Sequence, residues 1–87
     1  MITTTDPQSS LLQKVLLDVR GFLPPAPMQR ALEALALLPP RAMLAVHTGR
    51  EPRVLQEIVD VDGWRRAGRE LAPGHWETCI WRSEDAR

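Results

Sequence analysis

Over residues 14–20 the chain alternates, with Val15, Leu17 and Val19 on one side and Leu16, Asp18 and Arg20 on the other. Successive strand side chains point to opposite faces, so this alternation predicts a strand with one well-buried face, ended by Gly21. The period then changes. After Pro24-Pro25-Ala26-Pro27, apolar residues recur at Met28, Ala31, Leu32, Leu35 and Leu38, the stripe of an amphipathic helix. Pro39-Pro40 cannot continue it, which puts the helix at residues 25–38. Ala42-Met43-Leu44-Ala45-Val46-His47 is nearly all apolar, the pattern of a central strand flanked on both sides. Thr48, Gly49, Arg50 and Glu51 turn the chain out of it. Pro52 suits the first position of a second helix, where its missing N–H costs nothing. Leu55, Ile58 and Val59 line the apolar side of that helix, which runs to Val61 with Gly63 as its cap.

Residues 64–71 read as a weakly apolar strand whose Arg65, Arg66 and Arg69 suit a sheet edge, where charge discourages unwanted pairing. Ala72-Pro73-Gly74 makes a turn into a last strand over residues 76–82, and so short a connection makes the pair an antiparallel hairpin. The predicted order is β-α-β-α-β-β. Right-handed crossovers place both helices on one face, giving an α/β (α+β) two-layer sandwich with a four-stranded mixed sheet. Its open face would carry Leu16, Met43, Ala45, Cys79 and Trp81, an apolar set that suits association; Asp18, Arg20 and Glu77 share that parity and suit a solvated face.

Residues 1–10 and 83–87 are polar and are expected to be disordered tails around a single domain at 11–82. A core this small gains from docking on a protein partner or on a second copy as a homodimer. Eleven Lys and Arg balance eleven Asp and Glu, which removes the electrostatic footprint that nucleic-acid or anionic-membrane binding needs. No segment approaches the ~18 apolar residues of a membrane span, and the first ten residues have no signal-peptide pattern. One cysteine cannot form an internal disulfide, so a cytoplasmic location is expected.

The segment Leu17-Asp18-Val19-Arg20-Gly21-Phe22-Leu23-Pro24-Pro25-Ala26-Pro27-Met28 resembles the opening of the TusA/SirA-like sulfur-carrier fold, in which a strand and an Arg-Gly turn lead into a Cys-Pro-x-Pro motif. Arg50-Glu51-Pro52, Gly63-Trp64 and Gly74-His75-Trp76 extend the resemblance over residues 15–82, to the sister family called domain of unknown function 2249. That family has the Pro-rich opening without the Cys. The resemblance implies a TusA-like fold and no settled reaction; such domains occur beside hemerythrin-like and other iron- or nitric-oxide-related proteins, which implies a context. Pro24 stands where the carriers have their nucleophile. Proline has neither sulfur nor N–H, so carrier-type sulfur transfer is excluded at this position.

The remaining candidates each have a structural reading beside the functional one. Cys79 is a candidate for sulfur or redox chemistry, or a small apolar residue on a sheet face, where nothing in the sequence lowers its pKa. His75, Glu77 and Cys79 share a strand face, but positions four apart lie ~13 Å from each other, so at most His75 with Glu77, or His75 with His47, reaches one metal ion. Turn histidines without a ligand are the plainer alternative. Arg50 and Glu51 either recognise a partner or anionic ligand, or Glu51 caps the second helix. Trp64, Trp76 and Trp81, with Phe22, read as core and interface mass rather than a base-stacking platform. No phosphate loop, catalytic triad or spaced Cys/His motif names a cofactor. The reading is of an interaction or ligand-sensing module rather than an enzyme. Its expected site is the sheet edge that gathers Pro24, Pro25, Pro27, His47, Arg50, Glu51, Pro52, His75 and Trp76, because open α/β sheets bind ligands there.

Overall fold

The structure, a computed structural model, describes residues 13–82, so both expected tails lie outside the described residues. Six elements follow in order: β1 (Gln13–Asp18), α1 (Ala26–Ala36), β2 (Ala42–Thr48), α2 (Arg53–Val61), β3 (Arg65–Ala72) and β4 (His75–Trp81). The sheet order is β1-β2-β4-β3, with β1 parallel to β2 and β4 antiparallel to both its neighbours. The hairpin therefore inserts its second strand into the middle of the sheet and leaves β3 on the edge. Burial explains the choice. Thr78 and Ile80 of β4 are fully buried, whereas every residue of β3 is exposed. Arg66 makes one use of that exposure, its Nε and Nη2 donating to the Asp60 carboxylate of α2 at 2.8 and 3.0 Å.

The helix-covered face is the core. Val19, Leu44, Val46 and Ile80 from the sheet side meet Ala31 and Leu35 of α1 and Leu55 and Val59 of α2. Val15, Leu17, Leu32 and Leu38 pack against them half-buried, so the parity of β1 and the stripe of α1 face as their periods predicted. Each large aliphatic side chain removed from water there contributes about 1.5–3 kcal/mol. Among the described residues no helix is long and apolar enough to cross a membrane.

Element ends differ from expectation for local reasons. Strand β1 stops at Asp18, two residues early, because the Asp18 carboxylate accepts bonds from the Arg20 backbone N–H at 3.1 Å and from its guanidinium at 3.0 and 2.8 Å, bending the chain. Val19 still donates to the His47 carbonyl at 3.0 Å and stays in the core. Helix α1 begins after Pro25 and stops at Ala36, where the Leu37 N–H is shared between the Glu33 and Ala34 carbonyls. In α2, Pro52 is the N-cap rather than the first helical residue, and no side chain caps that end. The Glu51 carboxylate instead lies 3.5 Å from Arg53 Nε, so the capping role open to it is not taken. The far end of α2 closes as a Schellman motif, with Gly63 N–H donating to the Asp60 carbonyl and Trp64 N–H to that of Val59. Gly63 has φ 87°, a conformation that favours glycine, and the motif delivers Trp64 onto the core.

Candidate functional site

The sheet divides the expected site residues into two groups. On the helix side, the N-terminal ends of α1 and α2 stand apart over the C-terminal ends of β1 and β2, leaving a cleft of about 620 Å³. Pro24, Pro25 and Pro27 form one wall, and Arg50, Glu51 and Pro52 form the other. Val19, Val46 and Thr48 floor it, while Phe22, Leu23 and Val54, all exposed, rim it. The sequence grouped the two walls together; it read Phe22 as core and interface mass and did not assign Leu23 or Val54, whose positions lie off the apolar stripes.

The chemistry of this cleft is sparse. No residue lining it is Cys or His, and the Thr48 hydroxyl donates to the Arg50 carbonyl at 2.7 Å. The wall of α1 offers few free donors, since Pro24, Pro25 and Pro27 lack N–H groups and the Ala26 N–H bonds the Leu23 carbonyl at 2.9 Å. Charge enters through Arg50, Arg53 and Glu51, with the Glu51 carboxylate at 3.5 Å from Arg53. Such a site can hold an apolar group and orient an anion beside it.

His47 and His75 do not line the cleft; they lie on the opposite, open face of the sheet. There His47 Nδ1 is 2.8 Å from His75 Nε2, with ring centroids 4.9 Å apart and planes tilted by 51°. His47 Nε2 is 3.2 Å from Glu77 Oε2, its register partner on β4. Lys14 Nζ from β1 approaches the same oxygen at 3.5 Å, and Arg69 Nη2 from β3 reaches Oε1 at 3.5 Å. All four strands thus converge on one carboxylate whose side chain is only 8% exposed. Burial pushes the Glu77 carboxyl pKa up, but the Lys14 charge and the His47 hydrogen bond and charge outweigh it, and the net shift is down. Trp76 pairs with Thr48 and alternates away from the histidines, half-buried on the helix side. The sequence paired His75 with either Glu77 or His47; the structure joins His47 to both. The sequence missed Lys14, whose approach needs β4 beside β2, and Arg69, whose register opposite Glu77 in the hairpin it did not specify.

The sequence model of the uncharacterized conserved protein family DUF2249 matches residues 16–82. The chain belongs to that family. A crystal structure of a SirA-like protein from Desulfitobacterium hafniense superposes with a TM-score of 0.70 at 26% identity, covering 80% of this chain and 99% of that one. No match was found among curated proteins. The expected TusA/SirA-like architecture is therefore present, and in this DUF2249 domain the Cys-Pro-x-Pro position of the resemblance is occupied by Pro24 in the cleft wall.

Cys79 lies elsewhere, in mid-strand on the open face between Ala45 and Ala67 in register. Burial raises its thiol pKa and the nearby Glu77 charge raises it further, the opposite of what activates a nucleophilic cysteine. The SirA-like scaffold is present in this family member, and burial and the Glu77 charge disfavour the thiolate of Cys79.

Proposed function

We propose that this DUF2249 domain is a binding module and not an enzyme, whose cleft takes an apolar, acid-bearing segment of a protein partner. The observation that carries the reading is the composition of the cleft: a proline wall and an apolar rim, arginines beside Glu51 on the other wall, and neither Cys nor His among its lining residues. Phe22, Leu23 and Val54 would meet the apolar part, with Arg50 and Arg53 beside the acid. A volume of about 620 Å³ accommodates a few side chains rather than a whole surface. The iron, nitric-oxide or redox setting implied by the family resemblance, in the cytoplasm, is the context in which we place the partner. Sulfur chemistry at Cys79 draws no support from a thiol whose pKa is raised.

An apolar sulfonate dye, 8-anilinonaphthalene-1-sulfonate, tests the chemistry before the partner is identified. Titrated into the ¹⁵N-labelled protein, it should bind saturably and shift the amides of Phe22, Val54 and Leu55. Val54→Asp, at an exposed rim position, should abolish binding, while Leu37→Asp, at a still more exposed position outside the cleft, should leave it unchanged. Shifts confined to the open face, or equal loss in both variants, would overturn the reading.

A further inference from the structure

On the sheet face away from the cleft, the geometry points to a second site: His47 and His75 form a two-histidine seat for a divalent transition metal, oriented by Glu77.

The argument starts with the tautomers. A carboxylate accepts only, so His47 Nε2, 3.2 Å from Glu77 Oε2, carries a proton and donates it, and in the neutral form of the ring that binds metals Nδ1 is then the unprotonated nitrogen. This leaves the lone pair on His47 Nδ1, aimed at His75 Nε2 at 2.8 Å. One proton bridges two nitrogens that are each otherwise competent metal ligands. Imidazole nitrogens bind Zn²⁺ at about 2.0–2.1 Å in a tetrahedral arrangement, so two of them on one ion stand about 3.3 Å apart. The observed 2.8 Å falls about 0.5 Å short of that bite, a gap the two side chains close by rotating apart. Metal entry therefore requires the bridging hydrogen to move to the other ring nitrogen of His75 and the two rings to tilt, with no rearrangement of the strands. The carboxylate–histidine arrangement is also the one that fixes a ligand's tautomer and raises its basicity at metal centres.

The surroundings select the kind of ion. Glu77 is engaged by Lys14, Arg69 and His47, and Asp18, the register partner of His47 on β1, is held by Arg20. Neither carboxylate is free to join a cage of oxygens, which disfavours Ca²⁺ and Mg²⁺. Neutral imidazoles suit Zn²⁺, Cu²⁺ and Ni²⁺ instead. Among the described residues no three His, Cys, Asp or Glu side chains converge as a ligand set. The site thus supplies two nitrogens and leaves its other positions to water or an added ligand, the open coordination that structural metal centres lack. It shares no residue with the cleft, so it stands or falls independently of the binding proposed there.

The test uses the full chain after chelator treatment, titrated with Zn²⁺ and separately with Ca²⁺, and read by native mass spectrometry and by the imidazole proton signals. One Zn²⁺ per chain should bind, shifting the ring signals of both histidines, and Ca²⁺ should not. His47→Gln and His75→Gln should each remove the bound Zn²⁺. Glu77→Gln should keep the stoichiometry while weakening affinity about 10–100-fold, as loss of an orienting carboxylate does. His75 opens the hairpin strand half-buried, and a circular dichroism melt of His75→Gln confirms that its loss of metal is not a loss of fold. Absence of Zn²⁺ binding, or binding retained in both histidine variants, would overturn the proposal.

Discussion

The two faces of β4 treat polar groups in opposite ways. Toward the helices, Thr78 and Ile80 are fully buried with Leu44 and Val46 beside them, and the Thr78 hydroxyl has no hydrogen-bond partner among the described residues. On the open face, which a two-layer sandwich leaves nominally to solvent, Glu77 is nearly as buried but has Lys14, His47 and Arg69 around it. Apolar contact dominates one face, and a satisfied ionic network closes the other. A buried carboxylate is tolerable only when paired and hydrogen-bonded, and the three other strands supply those partners. Burial therefore does not mark the core here; partner count separates the two faces better.

The largest effect should come from the apolar face. Leu44→Ala removes a fully buried side chain from the centre of the sheet and should cost about 2–5 kcal/mol in a urea unfolding titration. A much smaller loss would mean that the helix layer collapses onto the gap and is less tightly packed than its burial indicates.

Next comes the polar face. Glu77→Gln leaves three cations or donors facing an uncharged group and should cost about 1–3 kcal/mol at neutral pH. Its pH dependence follows from the sign of the shift. The folded-state pKa of Glu77 lies below its ordinary value of 4.5, so the stabilisation is present above that value and is lost as pH falls through the folded-state pKa. Wild-type and Glu77→Gln melting temperatures should accordingly converge in acid; a gap that persists at low pH would assign the loss to packing instead of charge.

Thr78→Val should be the smaller change and of opposite direction, a gain of about 1 kcal/mol from removing an unsatisfied hydroxyl at matched shape. Destabilisation in that variant would show that the hydroxyl has a partner after all. Smallest of all is a rate effect at Cys79. Its thiol should alkylate with iodoacetamide more slowly than glutathione at neutral pH, and Glu77→Gln should speed it by removing a charge that disfavours the thiolate. Reaction as fast as the free thiol would contradict the raised pKa.

Much of the fold was legible because side-chain period reports directly on local geometry. Val15, Leu17 and Val19 share a face as the two-residue period requires, and Ala31 and Leu35 are buried on the stripe that predicted them. Arg65, Arg66 and Arg69 correctly marked an edge strand. The cleft walls were readable as well, since Pro24 to Pro27 and Arg50 to Pro52 sit at corresponding strand-to-helix turns. The histidines were placed at the right end of the sheet but assigned to one site with those turns. That grouping failed because an edge has two sides: His47 and Val46 are adjacent in sequence, yet their side chains leave the sheet in opposite directions. Glu51 likewise reads as a cap by position alone, and its pairing with Arg53 depends on a rotamer that position does not specify.

Local patterning alone determined that this chain makes two helices on one side of a four-stranded sheet, and the residue at position 24, set against the resemblance, put a proline where the carriers have their cysteine. Those properties depend on which residues are near one another in sequence, or on which residue is present at all. The tertiary structure decided that β4 lies between β2 and β3. From that single choice follow the burial of Glu77, the approach of Lys14 from the edge opposite Arg69, and the contact between His47 and His75. Strand order is set by the burial of whole faces summed over the molecule, and no local window of the sequence contains that sum.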